Sequence, residues 1–191
     1  MKKTKIGIFM EKYVTKGALF IAKHPVLYYI LNLTWGLPLT LLGYITTLVL
    51  LPWTIRIYKY HYIYGVQTVL FSHGIEWGFE MGTCFFTSMG AWTSNSLRCH
   101  EFGHTCQNAL LGPFQIFLVW IPSMIRFWYR DRLCRKGIRS PITYDAIWFE
   151  GSATKIGCEY YVWDQTRRLK KQMAEKAKQT SEKESQEKHT L

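Results

Sequence analysis

The sequence predicts a mainly α-helical membrane protein with a small β-hairpin, in which a helix bearing two histidines packs on a later helix bearing a glutamate. Three observations predict it. Residues 27–52 contain no charged side chain; His100 and His104 stand four apart in a segment with helix start and stop signals; and Glu150 sits in a stripe of small residues. The chain has 191 residues, enough for one domain with appendages. Its mean hydropathy of -0.07 averages an uncharged apolar stretch over 26–53 and a highly polar and charged tail over 164–191.

Residues 1–25 carry lysines at 2, 3, 5, 12, 16 and 23, interleaved with apolar residues at helical spacing. That pattern predicts an amphipathic helix on a membrane surface. Much of the net charge of +11 flanks the apolar run, which favours anionic head groups over nucleic acid as the partner. No nucleic-acid-binding motif occurs. Residues 26–54 form the expected transmembrane helix. Twenty-six uncharged residues make a helix of about 39 Å, longer than a hydrocarbon core of about 30 Å. Pro38, close to Gly36, predicts a kink or a late start, and Trp35 and Trp53 are placed as interfacial aromatics.

Residues 55–162 form the remaining domain. VQTVLF and GTCFFTSM have the content of short strands and predict a hairpin. His73, Glu76 and Glu80 have no metal-ligand spacing and read as ordinary polar positions. Ser94 or Asn95 caps a helix running through HEFGHTCQNALL to Gly112-Pro113. Residues 110–129 are apolar but broken by Pro122, and a basic loop through Arg130, Arg132, Arg135, Lys136 and Arg139 follows. A further helix covers 143–162, and 163–191 is a charged tail, a solvated, fraying helix or disordered. The cysteines at 84, 99, 106, 134 and 158 form no C-x-x-C pair and read as free thiols.

The chemistry lies in H-E-x-x-H at 100–104. Histidines four apart project from one helix face and suit one Zn2+ ion; Glu101 beside them is placed to act as general base. A catalytic zinc needs a third protein ligand. Position 110 is leucine, and no histidine follows before His189, so a carboxylate is required. Glu150 is the choice, because Ala146, Ala153, Thr154 and Gly157 share its stripe and permit close packing; Asp145, Glu159 and Asp164 are the rivals. Tyr144, Tyr160 and Tyr161 are candidates to steady an oxyanion. Both ligands must lie on one side of the bilayer, so 110–129 is expected to be re-entrant or membrane-embedded.

HEFGH with a downstream glutamate resembles the gluzincin metallopeptidases. Members similar to the prenyl-protein and stress-induced membrane proteases carry an E-x-x-A-D-like element, where this chain has E-G-S-A-T at 150–154. The string HEFGHTCQNALLGP at 100–113, with IPS at 121–123, resembles small bacterial membrane proteins. The resemblance implies a zincin-like active-site helix, a zinc endopeptidase of the bacterial cytoplasmic membrane and a protein or peptide substrate. It leaves the oligomeric state and the side of the active site open. Thr154 departs from the aspartate of the larger group, a position that orients a ligand histidine. With Asp145 it is a second candidate for that orienting role. The departure also keeps alive the alternative of a non-catalytic metal-binding or structural membrane protein.

Overall fold

The computed structural model describes residues 4–59, 65–71, 77–91, 93–138 and 143–190. His73, Glu76 and Arg139 lie outside them. The first helix, α1 (Lys5–Ala22), starts where the Thr4 hydroxyl accepts the Gly7 N–H. It does not simply float on a surface. Val14, Ala18, Ile21 and Ala22 are buried in the protein, and Glu11, also buried, pairs with Lys155. Its outer face leaves Ile6, Phe9 and Tyr13 exposed.

The expected single span is two helices. α2 (Pro25–Leu33) and α3 (Leu37–Val49) meet at an angle of 82°, and among the described residues no single helix is long and apolar enough to cross a membrane. The bend is pinned from outside. Asn108 donates to Asn32 Oδ1 at 2.7 Å and to the Gly36 carbonyl at 3.1 Å, and a Cβ at Gly36 would stand 2.5 Å from the Asn108 amide nitrogen. The break therefore falls where the chain lets a side chain in.

The sheet has four strands, β1 (Thr54–Lys59), β2 (Val66–Leu70), β3 (Gly78–Met81) and β4 (Cys84–Ser88), in the order β1-β2-β4-β3. The segments expected to form one hairpin, β2 and β4, instead pair in parallel, and β4 makes its tight hairpin with β3 across Gly82. At φ +63°, Gly82 packs its α-carbon against Thr40, which excludes any side chain.

The centre is the contact of α4 (Asn95–Leu111) with the long α6 (Trp148–Thr190), which continues helically through the charged tail. Two glycines allow it. A Cβ at Gly103 would lie 2.0 Å from the Ala153 carbonyl oxygen, and one at Gly157 would lie 1.8 Å from that of Cys99. Phe102, Cys106 and Ala109 of α4 meet Ile156 and Tyr160 of α6, Ala18 and Ile21 of α1 and Tyr28 of α2 in the main core. A second cluster, Leu39, Leu70, Met81, Cys84 and Phe86, joins α3 to the sheet. Between α4 and α6 the chain makes a π-helical turn over Ile116–Trp120 and then α5 (Ile121–Arg135). Arg130, Arg132 and Arg135 thus lie on a helix rather than in a loop. Phe117, Leu118 and Ile125 of this arm are exposed.

Candidate metal centre

Helix α4 begins where the Ser94 hydroxyl accepts the Leu97 N–H at 3.3 Å and ends at Gly112. It presents His100, His104 and Gln107 to α6, whose first turn carries Glu150. His100 Nε2 lies 3.1 Å from Glu150 Oε2, His104 Nε2 lies 3.3 Å from the same oxygen, and the two Nε2 atoms are 3.1 Å apart. A four-coordinate ion with bonds of about 2.1 Å sets its ligand atoms about 3.4 Å apart. The triangle has that shape, slightly contracted.

Hydrogen bonds behind the ligands decide what the triangle can hold. Thr154 donates its hydroxyl proton to Asp145 Oδ1 at 2.8 Å, so its oxygen accepts Nδ1–H of His100, also at 2.8 Å. Gln107 donates to the Phe149 carbonyl at 2.8 Å and to Ser152 at 2.6 Å, which turns its own carbonyl oxygen to Nδ1–H of His104 at 2.8 Å. Ser123 donates to Glu150 Oε1 at 2.6 Å. Both imidazoles are thereby fixed with Nδ1 protonated and Nε2 bare. With both imidazoles neutral, three lone pairs converge on one point; with His104 protonated, its Nε2–H donates to Glu150 instead. Such a donor set demands a cation, either a metal ion or a proton shared with Glu150.

The electrostatics agree. Burial opposes protonation of His104, but the hydrogen bond to Glu150 and the charges of Glu150, Glu101 and Glu80 outweigh it and push its pKa up to about 9. His100 is lowered by burial. Although burial raises the pKa of Glu150, the two histidines hold it well below the ordinary carboxylate range. Glu101, 4 % exposed, is raised to about 8 by burial, with Glu80 and Glu150 adding to the shift.

Glu101 and His104 line a cavity of about 440 Å³, walled largely by Trp77, Phe79, Trp120, Phe127, Trp128 and Tyr144. The centre therefore faces a half-open, largely apolar space of ligand size.

No known protein family, curated protein or solved structure matches this chain. Its chemistry is therefore read from the residues alone.

The structure brings together His100, His104, Glu150, Glu101, Thr154, Asp145 and Tyr144. The Tyr144 ring lies 5.3 Å from that of His100, and Arg126 holds its segment by donating to the Thr143 and Tyr144 carbonyls at 2.6 and 2.9 Å. It does not bring in the other two tyrosines. Tyr160 is 1 % exposed in the main core against Phe102, and Tyr161 also lines no part of the cavity. Of the rival ligands, Asp145 serves Thr154, Glu159 is exposed, and Asp164 pairs with Arg168 at 2.6 Å. Gln107 and Ser123 were not anticipated, although both fall inside the strings HEFGHTCQNALLGP and IPS. Glu80 is no ordinary surface position. It is 3 % exposed on β3, with its pKa raised by burial to about 7.

Proposed function

We propose that the chain is a membrane-associated zinc-dependent endopeptidase whose metal is held by His100, His104 and Glu150. The observation that carries the reading is the convergence of His100 Nε2, His104 Nε2 and Glu150 Oε2 beside a buried carboxyl, Glu101, at the wall of a half-open cavity. A zinc ion there would supply Lewis acidity, polarising a scissile carbonyl and making water acidic. Glu101 is placed to take the proton of the attacking water and return it to the leaving amine; burial raises its pKa in the metal-free chain, and a cation held by His100, His104 and Glu150 would lower it again so that the group can act as a base. Tyr144 is 37 % exposed overall, but desolvation of its hydroxyl and the nearby Glu150 and Glu101 charges keep it neutral, so it retains a proton to donate towards a developing oxyanion.

Membrane association rests on exposed apolar surface. Leu41, Ile45, Leu48 and Val49 of α3 and Phe117 and Ile125 of the α5 arm point outward. Patches of this kind mark a lipid or partner surface. The bent α2–α3 pair is the segment proposed to enter the bilayer, with the lysines of α1 and the arginines of α5 at its borders.

The test is metal content of the detergent-purified full chain, followed by peptide hydrolysis. About one zinc per chain in the wild type, lost in His104→Ala and Glu150→Ala, is expected. Glu101→Gln should keep zinc and lose hydrolysis. A folded wild type that takes up no zinc overturns the metal reading; a Glu101→Gln protein as active as wild type overturns the catalytic one.

A further inference from the structure

The cavity contains a second carboxylate that the proposed hydrolysis does not use. Glu80 comes from β3, the edge strand on the cavity side, while Glu101 and His104 come from α4. Its Oε1 accepts from Gln115 Nε2 at 3.3 Å, and Gln115 donates also to the His104 carbonyl at 3.4 Å. Glu80 Oε2 and Gln115 Oε1 are both buried and have no hydrogen-bond partner among the described residues. When Glu80 is ionised, its Oε2 at the cavity wall and the Oε1 of Gln115 behind it are acceptors without a donor among the described residues, while Gln115 and the Gly82 amide serve the rest of the carboxylate. Leaving such atoms unmatched costs about 1–3 kcal/mol each, and more where the group is charged.

The walls narrow the chemistry of the missing donor. Trp77, Phe79, Trp120, Phe127 and Trp128 line the same space, with Phe79 stacked against Trp77 and Phe86. Aromatic faces attract organic cations, and a carboxylate makes its strongest hydrogen bonds to a charged donor. A hard divalent ion needs an oxygen-rich shell that carbon walls do not provide. A purely apolar side chain fills the volume but leaves Glu80 unmatched. The group that answers both walls and carboxylate is an ammonium on an apolar stem.

We propose that this cavity is a subsite for a primary ammonium group of the substrate, with Glu80 as its counter-charge and the tryptophans as its cage. That the ligand is part of a peptide substrate rests on the peptidase reading above; the ammonium site itself does not. A lysine side chain and a free peptide N-terminus offer the same group.

The test uses the zinc-supplemented full chain in detergent and follows cavity tryptophan fluorescence on titration with phenethylamine and with its uncharged counterpart 2-phenylethanol. The amine should bind at least ten-fold more tightly than the alcohol. Glu80→Gln should abolish that preference while leaving alcohol affinity and zinc content unchanged. Equal affinity of wild type for amine and alcohol overturns the proposal, and this comparison needs no variant to fold. A preference that survives in a folded Glu80→Gln protein also overturns it. Nα-acetyl-lysine amide and phenylalanine amide then separate the two sources: tighter binding of the first places a lysine side chain in the subsite, tighter binding of the second an N-terminus. Failure of both to bind overturns the assignment to a peptide. Because none of these titrations requires turnover, amine-selective binding by a chain that cleaves nothing would count against the peptidase reading and leave the subsite standing.

Discussion

Thr154 Oγ1 lies 2.8 Å from His100 Nδ1 and 2.8 Å from Asp145 Oδ1, so the hydroxyl links the imidazole to a carboxylate it does not touch directly. A threonine in place of an aspartate at this position would by itself mean a lost orienting charge. Here the charge is displaced by one hydroxyl, and the histidine still donates from Nδ1 and turns Nε2 towards Glu150 and His104. Removing such an outer partner typically weakens metal binding about 10–100-fold. Thr154→Val, which keeps shape and removes the link, should therefore lower zinc affinity by about that factor, whereas Thr154→Ser should retain it. Competition with a zinc-binding dye measures both. Equal affinity of the valine variant and wild type would show that the link has no orienting role.

The helix contact that supports the centre depends on missing side chains. At Gly103 and Gly157 a methyl group would meet backbone carbonyl oxygens of the facing helix at 2.0 and 1.8 Å, and backbone cannot swing aside as a side chain can. Gly103→Ala or Gly157→Ala must push α4 and α6 apart, which also pulls Glu150 from the two histidines. Overpacking of this kind costs about 1–3 kcal/mol and sometimes more. Lower thermal stability and loss of bound zinc should appear together in each variant. A variant with unchanged melting and full zinc would mean that the helices do not approach this closely.

How far the sequence discloses these features depends on the range of the interaction. His100, Glu101 and His104 are legible because helix geometry puts positions four apart on one face, a local rule. Glu150 is legible from its small neighbours, which anticipate the close contact at Gly103 and Gly157. The parallel pairing of β2 with β4 is not, because strand content marks segments and not partners, and the partner is chosen by burial of Phe86 and Cys84 against α3. The uncharged run 27–52 is equally silent about its 82° bend, since the decisive contact is Asn108, far along the chain. Glu80 gives no spacing signal at all. Its burial follows from where β3 lies against α4.

The buried Glu80 makes a signed contribution to stability. Its pKa rises from an ordinary 4.5 to about 7, chiefly through burial and against the opposing pull of His104, Gln115 and the Gly82 amide. The unfolded chain therefore releases this proton first, and over the window between those two values the folded state is the one that retains it. Stability must fall as pH rises through that window, by about 3 kcal/mol at most. Glu80→Gln has no proton to lose there. In chelator, chemical denaturation from pH 4.5 to pH 7.5 should show the stability of wild type declining relative to the variant by up to about that amount. A constant difference would mean that Glu80 is solvated in the folded protein.

The thiols give an independent check on the packing of α4 against its neighbours. Cys134 and Cys158 are exposed, while Cys84, Cys99 and Cys106 are buried without disulfide partners. Burial pushes the pKa of Cys84 and of Cys99 up to about 11, and that of Cys106 well above its ordinary value. Thiolate is the reactive species, so these three are protected twice, by access and by protonation. At pH 7.5 a water-soluble maleimide should label two thiols per chain quickly and the remaining three only on unfolding, as counted by intact mass. Rapid labelling of Cys99 or Cys106 in the native protein would place the face of α4 against α1 and α6 in solvent. The core behind the face that carries His100 and His104 would then be differently packed.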